Sequence, residues 1–264
     1  PTAGDELVGE PITPVPLSVD LDPRKVKLGR RLFVDTRLSG DNGVSCASCH
    51  NFNRALTDGQ PITSGLPGHP GATNTISLFN VALSSKHAWD GHIMTLEEQA
   101  SGVVVNKSTM GADWNDVVAR LKSDPALEAT FKDIYPDGVQ KATIINALVE
   151  YEKSLDTPNA PFDRYLRGDQ KAISDQARAG YQLFKDYGCS SCHQGINVGG
   201  NMVQVLGIFG KPDAAFEGVD TPGSAKNTGI SDKRPVFRVP SLRNVEYTGP
   251  YFHDGSVEKL SDAI

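Results

Sequence analysis

The feature that most constrains the fold is the five-residue pattern Cys-x-x-Cys-His, which occurs twice and includes all four cysteines of this 264-residue chain. The first copy is "CASCH" at residues 46–50, and the second is "CSSCH" at residues 189–193. In each copy a histidine directly follows the second cysteine. Residues this close share about one helical turn, so each copy brings two thiols and an imidazole together. The chain must therefore fold around two similar local sites.

Cys-x-x-Cys-His is the attachment signature of c-type haem. The thiols bind the two vinyl groups of the haem, and the adjacent histidine becomes a ligand of the iron. A redox dithiol would not need the histidine, two structural disulfides would not explain its repeated position, and a shared zinc site would need both copies in one place. The sequence therefore predicts two covalently bound haem c groups, held by Cys46, Cys49 and His50 and by Cys189, Cys192 and His193.

Composition disfavours some partners and bears on the compartment. The chain has 32 acidic and 26 basic residues, a net charge of −6 that argues against a nucleic acid as partner. No stretch approaches the roughly 18 apolar residues of a membrane span. Because haem is attached covalently outside the bacterial cytoplasm, we expect a periplasmic protein. No signal-peptide pattern precedes Pro1, and residues 254–264 read as an opening helix without a terminator, so we expect a chain trimmed at both ends.

The rest of the sequence predicts a mostly α fold. Periodicity and capping signals indicate helices at 23–33, 95–101, 113–123, 125–134, 140–155 and 174–187. One short or edge strand is predicted within 234–249, where a proline limits its length. Long loops rich in Gly and Pro, at 59–74 and about 195–230, each follow a haem motif. The turn-rich stretch 157–169 indicates a boundary between two helical domains, residues 1–162 and 163–264.

Each haem iron has a second axial position, for which the chain offers four further histidines and three methionines. They are His69, His87, His92, His253, Met94, Met110 and Met202. His69 lies in "LPGHPGATN", whose composition predicts a flexible loop, so it could bind an iron and later leave; an ordinary surface-loop histidine is the alternative interpretation. Met202 follows His193 too closely along the chain to favour the opposite face of the same haem.

Several longer segments resemble the bacterial di-haem cytochrome c peroxidases and the wider di-haem family that includes the MauG proteins. The segments are "LGRRLFVDTRLS" (28–39), "NTISLFNVA" (74–82), "WDGHIMTLEEQA" (89–100), "DRYLRGD" (163–169), "LFKDYGCSSCHQGINVGGN" (183–201) and "VFRVPSLRNVEYTGPYFHDGS" (236–256). The resemblance covers nearly the whole chain. It implies two cytochrome-c-like helical domains with one haem in each, usually paired as homodimers.

The resemblance implies a division of labour between the two haems. The N-terminal haem, at His50, would have the low potential and react with hydrogen peroxide. The C-terminal haem, at His193, would have the high potential and receive electrons from a small cytochrome c or cupredoxin. His69 matches a histidine that blocks the peroxide-reacting iron in the resting oxidised state. Trp89 matches a tryptophan that relays electrons between the haems, although an ordinary core aromatic is the alternative interpretation.

The resemblance also implies a calcium site and a ligand for the second haem. Asn74, Thr248 and Pro250 match a calcium site between the domains, and amide and backbone carbonyl oxygens suit this cation. The C-terminal haem normally takes a methionine, or a tyrosine in MauG-type relatives, some way beyond the histidine of "YFHDG". Counted from His253, that position falls beyond Ile264. His253 itself is expected to have a structural hydrogen-bonding role.

One position departs from the family pattern. Gln99 matches a glutamine of the peroxide pocket, but the glutamate that accompanies it is replaced by Thr109, in "NKSTMG" at 106–111. Cleavage of peroxide needs a proton moved between its oxygens, and neither of these side chains titrates near neutral pH. The nearby carboxylates are weak substitutes: Glu97, Glu98, which a capping box explains, and Asp113.

These observations favour a periplasmic di-haem cytochrome c peroxidase that reduces hydrogen peroxide to water. Its candidate catalytic residues are Gln99, Trp89 and Thr109. The threonine keeps two alternatives open. One is a MauG-like di-haem oxidase acting on another substrate, and the other is a non-enzymatic di-haem electron carrier or sensor.

Overall fold

The computed structural model describes residues 9–69, 71–207 and 236–264. Helices dominate these ranges, which confirms the mostly α class. The α-helices and strands are α1 (Pro23–Phe33), α2 (Cys46–Cys49), α3 (Leu96–Val105), α4 (Trp114–Lys122), α5 (Pro125–Ile134), α6 (Lys141–Lys153), α7 (Pro161–Leu166), α8 (Asp175–Asp186), β1 (Val203–Val205) and β2 (Val236–Arg238). Within the described ranges, no helix is long and apolar enough to cross a membrane.

All six predicted helices are present, because the signals that begin them are local. The carboxylates of Asp22 and Asp124 accept backbone N–H groups at the starts of α1 and α5, each of which has a proline in its first turn. The hydroxyl of Thr95 accepts from the backbone N–H of Glu98 at 3.1 Å, so α3 begins as the capping box predicts. Helix α7 was not predicted. It begins at Pro161 without a side-chain cap, inside the stretch interpreted as turn.

The predicted strand is confirmed only over the three residues of β2. This strand pairs with β1 in antiparallel register, with Gln204 opposite Phe237. Pro240 ends it, since a proline has no N–H for the ladder. Residues 234–235 of the predicted strand, and most of the loop predicted at about 195–230, lie outside the described residues.

The prediction of an amphipathic helix over residues 254–264 is wrong. The backbone N–H of Ser256 donates to the Asp254 carboxylate at 3.1 Å, which forms a turn where the helix was expected to begin. Tyr251 and Val257 then pair as an isolated antiparallel bridge. The only helical geometry in this segment is one 3-10 turn, Leu260–Asp262.

The described residues form two compact units. The motif-1 unit consists of residues 20–81, 95–155 and 244–264, and the motif-2 unit consists of the described parts of 1–19, 82–94 and 156–243. The chain thus changes unit at 156, near the predicted boundary. The division differs from the sequential domains 1–162 and 163–264. The described part of 1–19, residues 82–94 and residues 156–162 lie in the motif-2 unit, and residues 244–264 lie in the motif-1 unit.

Long-range contacts explain two of these exchanges. The backbone N–H of Asn74 donates to the carbonyl of His253 at 2.7 Å, which holds the C-terminal segment in the motif-1 unit. In the motif-2 unit, the hydroxyl of Tyr181 donates to the carboxylate of Glu10 at 2.6 Å. Ile12 joins the apolar core formed with Leu166, Tyr181 and Val198. The described N-terminal residues are therefore joined to that core through Glu10 and Ile12.

The motif-1 unit is built on the crossing of α1 and α6. A Cβ atom added at Gly29 of α1 would lie 1.9 Å from the carbonyl oxygen of Ala147 in α6, so only glycine permits this approach. The rings of Phe33 and Tyr151 pack edge to face at this crossing, with centroids 5.2 Å apart. The crossing positions the first Cys-x-x-Cys-His motif, because Phe33 also lies against His50, with ring centroids 6.3 Å apart.

Candidate functional site

The first motif forms the single turn of α2 and the residue after it. A capping hydrogen bond stabilises the start of this turn: the backbone N–H of Ser45 donates to the Ser48 hydroxyl at 3.0 Å. The backbone N–H of His50 donates to the carbonyl of Cys46 at 2.9 Å, so the imidazole follows directly on the turn that carries the thiols. Neither Cys46 nor Cys49 forms a disulfide. The local fold therefore presents two free thiols and one imidazole together.

The imidazole of His50 is held in one tautomer. Its Nδ1 atom lies 2.9 Å from the carbonyl oxygen of Leu56. A carbonyl can only accept, so Nδ1 carries the hydrogen and Nε2 keeps its lone pair for a metal. Leu56 has a positive φ of 58°, and its backbone N–H donates to Asn51, so a tight loop delivers this carbonyl. Burial also lowers the pKa of His50, which favours the neutral form that binds metals.

The second motif repeats this arrangement in the motif-2 unit. Cys189–Ser191 forms a 3-10 turn after Gly188, and the backbone N–H of His193 donates to the carbonyl of Cys189 at 2.9 Å. The Nδ1 atom of His193 lies 3.2 Å from the carbonyl oxygen of Pro240. Burial lowers the pKa of this histidine as well. Both imidazoles thus keep Nε2 for a metal, and the residues of both motifs fit a covalently attached haem.

His69 is exposed on a tight turn, where its backbone N–H donates to the carbonyl of Leu66 at 2.8 Å. The base of this loop is joined to the first motif, since the Thr63 hydroxyl lies 3.4 Å from the sulfur of Cys49. Gly65 has a φ of +60°, and a Cβ atom there would meet the carbonyl oxygens of His69 and Ser108 at 2.3 and 2.5 Å. The turn that carries His69 therefore lies against the residue that precedes Thr109.

The predicted pocket residues Gln99 and Thr109 both lie in the motif-1 unit. The side-chain oxygen Oε1 of Gln99 is buried and has no hydrogen-bond partner within the described residues. This oxygen is available to a hydrogen-bond donor that the described chain does not supply. The hydroxyl of Thr109 instead lies 2.6 Å from the carbonyl oxygen of Val103, in the last turn of α3.

The substitute carboxylates have other roles or positions. Asp113 accepts the backbone N–H of Asn115 at 2.7 Å and caps α4. Glu97 is exposed on α3. The backbone N–H of Glu98 completes the capping interaction with Thr95. A fourth carboxylate belongs to Glu152 of α6, and its Oε2 atom is buried. Sequence reasoning missed it because a glutamate on a helix usually faces solvent.

Trp89 lies in the motif-2 unit beside β2. Its indole packs edge to face on Phe237, with ring centroids 6.4 Å apart, and its carbonyl accepts the backbone N–H of Arg238 at 2.7 Å. The guanidinium of Arg238 is buried and donates to the carbonyl of Ala88 at 3.0 Å. The structure therefore places the predicted relay residue in the same unit as His193.

The three predicted calcium ligands all lie in the motif-1 unit. The side chain of Asn74 is anchored by donation to the carbonyl of Gln60 at 2.7 Å. No group of three or more His, Cys, Asp or Glu side chains suited to a metal occurs in the part of the chain that the structure describes. A cation at Asn74, Thr248 and Pro250 would thus depend on neutral oxygens, a type of ligand that calcium accepts.

Comparison with known sequences gives a consistent group of relatives. A sequence model of the family described as di-haem cytochrome c peroxidase matches residues 23–171. The cytochrome c peroxidase Ccp of Escherichia coli strain K12 is 40% identical over 97% of this chain and 55% of its own length. The cytochrome c551 peroxidase of Pseudomonas aeruginosa is 36% identical over 98% and 73%, respectively. The methylamine utilization protein MauG of Methylophilus methylotrophus is 32% identical over 95% and 74%.

Solved structures give the same fold. A MauG-like protein associated with microbial copper homeostasis superposes with a TM-score of 0.77 and 29% identity, over 98% of this chain and 80% of its own. The diheme peroxidase BthA of Burkholderia thailandensis superposes with a TM-score of 0.74 over 96% and 74%, and at 22% identity it supports the fold alone. The chain spans about half the length of the Escherichia coli relative.

Proposed function

Because the chain belongs to the di-haem cytochrome c peroxidase family, we propose that it binds two haem c groups and reduces hydrogen peroxide to water. The observation that carries the proposal is the repeated motif geometry. In both motifs free thiols accompany an imidazole whose Nδ1 atom faces a backbone carbonyl, Leu56 for His50 and Pro240 for His193. Two groups built alike suit two copies of one cofactor.

Haem, when bound, supplies the redox chemistry, and the protein residues hold, orient and shield it. Cys46 and Cys49 would attach the haem of the motif-1 unit, with His50 as its iron ligand. Gln99, in the same unit, has a buried side-chain oxygen that can accept a hydrogen bond from bound peroxide or water. These features support the motif-1 unit as the peroxide site, with His69 as the resting ligand that leaves it.

The haem of the motif-2 unit, at Cys189, Cys192 and His193, is proposed to receive the electrons. Trp89 lies in that unit, which supports its use in carrying electrons away from this haem. A small periplasmic cytochrome c or cupredoxin is the proposed donor. A homodimer, a periplasmic location and calcium at Asn74, Thr248 and Pro250 complete the proposal.

A MauG-like oxidase is the second candidate. Thr109 uses its hydroxyl on a helix carbonyl and cannot titrate, which favours chemistry that does not require a proton-transferring carboxylate at this position. Relatives named MauG match at 32% and 33% identity. A di-haem electron carrier without enzymatic activity would share the same two haems and lack turnover of any substrate.

Haem counting on the purified holoprotein tests the first part of the proposal. A pyridine haemochrome assay should give two c-type haems per chain, and one in either double variant, Cys46→Ser with Cys49→Ser or Cys189→Ser with Cys192→Ser. Ala47→Ser is the matched control, because it turns "CASCH" into "CSSCH" and should leave both haems. One haem or none in the unmodified protein would refute the proposal.

Activity separates the candidates. The holoprotein, reduced beforehand at one haem, should consume hydrogen peroxide with reduced cytochrome c as donor, well above the rate of free haem. Oxidation of a protein substrate without consumption of cytochrome c would favour the MauG-like alternative. No turnover in either assay would favour the electron carrier without enzymatic activity.

A further inference from the structure

We propose that Glu152 is the proton-binding partner of the haem at the first motif, so that a proton enters this carboxylate when the site gains an electron. The inference rests on the proposed function only in requiring haem at Cys46, Cys49 and His50. It adds a residue that the family pattern described above does not include. Glu152 is a positioning residue in this proposal, since it acts on the haem through charge.

Helix α6 turns this side chain inward. Glu152 follows Leu148 by four positions and Val149 by three, and both of those residues are buried, so all three share one face. The neighbouring charged residues behave differently. Lys153 and Glu150 pair with each other at 3.0 Å. Glu150 is thus paired with a cation, whereas Glu152 has no ion pair among the described residues and lies on the apolar side of the helix.

One oxygen of the Glu152 carboxyl group is buried and unpaired. This atom, Oε2, has no hydrogen-bond partner among the described residues. An ionised carboxylate with an unpaired buried oxygen is costly, and the group responds by holding its proton. Burial, with a smaller contribution from the charge of Glu97, raises the pKa of Glu152 to about 8.

The groups that face Glu152 do not offset its charge. From α3, the facing group is Glu97, which carries the same sign. From α2, it is the thiol of Cys46, whose pKa burial and the Glu152 charge raise to about 12. From α1, Arg30 acts on the adjacent Tyr151. Helix α4 provides no charged group that acts on this carboxyl within the described residues.

Glu152 directly follows Tyr151, whose ring packs on Phe33, and Phe33 in turn lies against His50, with ring centroids 5.2 and 6.3 Å apart. This packing, together with its effect on Cys46, places Glu152 within electrostatic reach of the haem that Cys46 and His50 would hold. The sulfur of Cys46 would be the thioether link to one edge of that group, and in a buried environment charges interact strongly over such distances. A negative carboxylate there opposes the arrival of an electron. The balance is one electron gained by the site and one proton taken from solvent by Glu152, so that the local charge does not change.

The test is a spectroelectrochemical titration of the full-length holoprotein between pH 5.5 and 9. The reduction potential of one of the two haems should fall as the pH rises toward 9. The largest slope expected is a tenfold change in the reduction equilibrium per pH unit, which corresponds to about 59 mV. In Glu152→Gln this potential should lose that dependence and exceed the unmodified value at pH 9. Glu150→Gln, on the same helix, is the matched control and should keep it.

An unchanged slope in Glu152→Gln would overturn the inference. If that variant does not fold, infrared difference spectroscopy of the unmodified protein serves instead. On reduction at pH 9 it should show the carbonyl stretch of a newly protonated carboxylic acid, and absence of this signal would also overturn the inference. A haemochrome count below two would instead refute the proposed function, so the two failures are distinguishable.

Discussion

The hydroxyl of Thr109 donates to the carbonyl oxygen of Val103, 2.6 Å away. The same hydroxyl oxygen lies 3.0 Å from the carbonyl of Asn106. Val103 lies in the last turn of α3 and Asn106 directly follows the helix, where the last carbonyl groups have no partners within the helix. The single hydroxyl hydrogen of Thr109 is thus used in a hydrogen bond that stabilises the end of this helix. The position at which the family resemblance implies a glutamate has a structural role in this chain.

The first prediction is that Thr109→Glu raises peroxide turnover. A positioned carboxyl group contributes about 10²–10⁴ in rate to proton transfer, and the pocket has no such group at this position. The substitution also removes the hydrogen bond to Val103, so the free energy of unfolding should fall by about 1 kcal/mol. Steady-state peroxide consumption and chemical denaturation measure the two effects.

Thr109→Gln is the control for this change. It has nearly the size of glutamate and loses the same hydroxyl, but it does not titrate. We expect the loss of stability without the gain in rate. Equal turnover in the glutamate and glutamine variants would show that residue 109 does not take part in proton transfer in the peroxide pocket.

A second prediction concerns the loop that carries His69. Gly65→Ala places a methyl group 2.3 Å from the carbonyl oxygen of His69 and 2.5 Å from that of Ser108, so the turn must move away. If His69 is the resting ligand, the ferric protein should shift toward a high-spin spectrum, and peroxide turnover should need less prior reduction. Visible absorption and electron paramagnetic resonance report the spin state.

Gly68→Ala provides a control in the same turn. Gly65 and Gly68 both have positive φ values, so both alanines bear a cost of about 1–2 kcal/mol for this conformation. The added methyl at Gly68 meets no atom within 4 Å in the described ranges. This variant should keep the resting spectrum. The same spectral shift in both variants would indicate general loosening of the loop rather than the contact at Gly65.

A third prediction follows from the buried carboxyl of Glu152. Its pKa is about 8 in the folded protein against 4.5 for the ordinary side chain, so the folded state holds the proton over a range in which the unfolded state has lost it. The contribution of Glu152 to the free energy of unfolding should therefore be fully present below pH 4.5. It should be lost as the pH rises to about 8, by at most 1.4 kcal/mol per pH unit. Thermal unfolding of the holoprotein at several pH values measures the slope, which Glu152→Gln should reduce.

The starts of the helices could be predicted from sequence because their causes are local. A Thr or Asp cap, such as Thr95 or Asp124, acts within one turn of the helix that it begins. The carbonyl groups of Leu56 and Pro240 that orient the two histidines could not be predicted in the same way. Each is a backbone atom brought into place by a loop, and no side chain marks it. The two motifs were thus recognisable, but not the contacts that complete them.

Residues distant in sequence account for the rest of what was missed. The unit boundaries depend on contacts such as Asn74 with His253, which join segments that no local pattern links. The inward direction of Glu152 depends on how α6 packs against its neighbours.

A fourth prediction tests such packing directly. Gly29→Ala adds a Cβ atom 1.9 Å from the carbonyl oxygen of Ala147, which forces α1 and α6 apart.

Gly29→Ala should lower the free energy of unfolding by about 1–3 kcal/mol, the usual cost of overpacking. Gly102→Ala is the matched helical control in the same unit. Its added methyl meets no atom within 4 Å among the described residues, so it should stabilise α3 by about 0.5–1 kcal/mol. Denaturant unfolding followed by circular dichroism measures both. A loss of stability of similar size in the two variants would contradict the close crossing at Gly29.

The final prediction concerns the ion pair between Asp163 and Arg243 in the motif-2 unit. The guanidinium donates to both carboxylate oxygens, at 3.0 and 3.1 Å, and Asp163 also accepts the backbone N–H of Val15. Because both side chains are buried, Asp163→Asn leaves the arginine charge uncompensated, at a cost of about 3–5 kcal/mol. Asp175→Asn, which removes an exposed partner of Arg178, should cost about 1 kcal/mol or less. Denaturation midpoints compare the two, and equal losses would show that the buried pair contributes no more than a surface one.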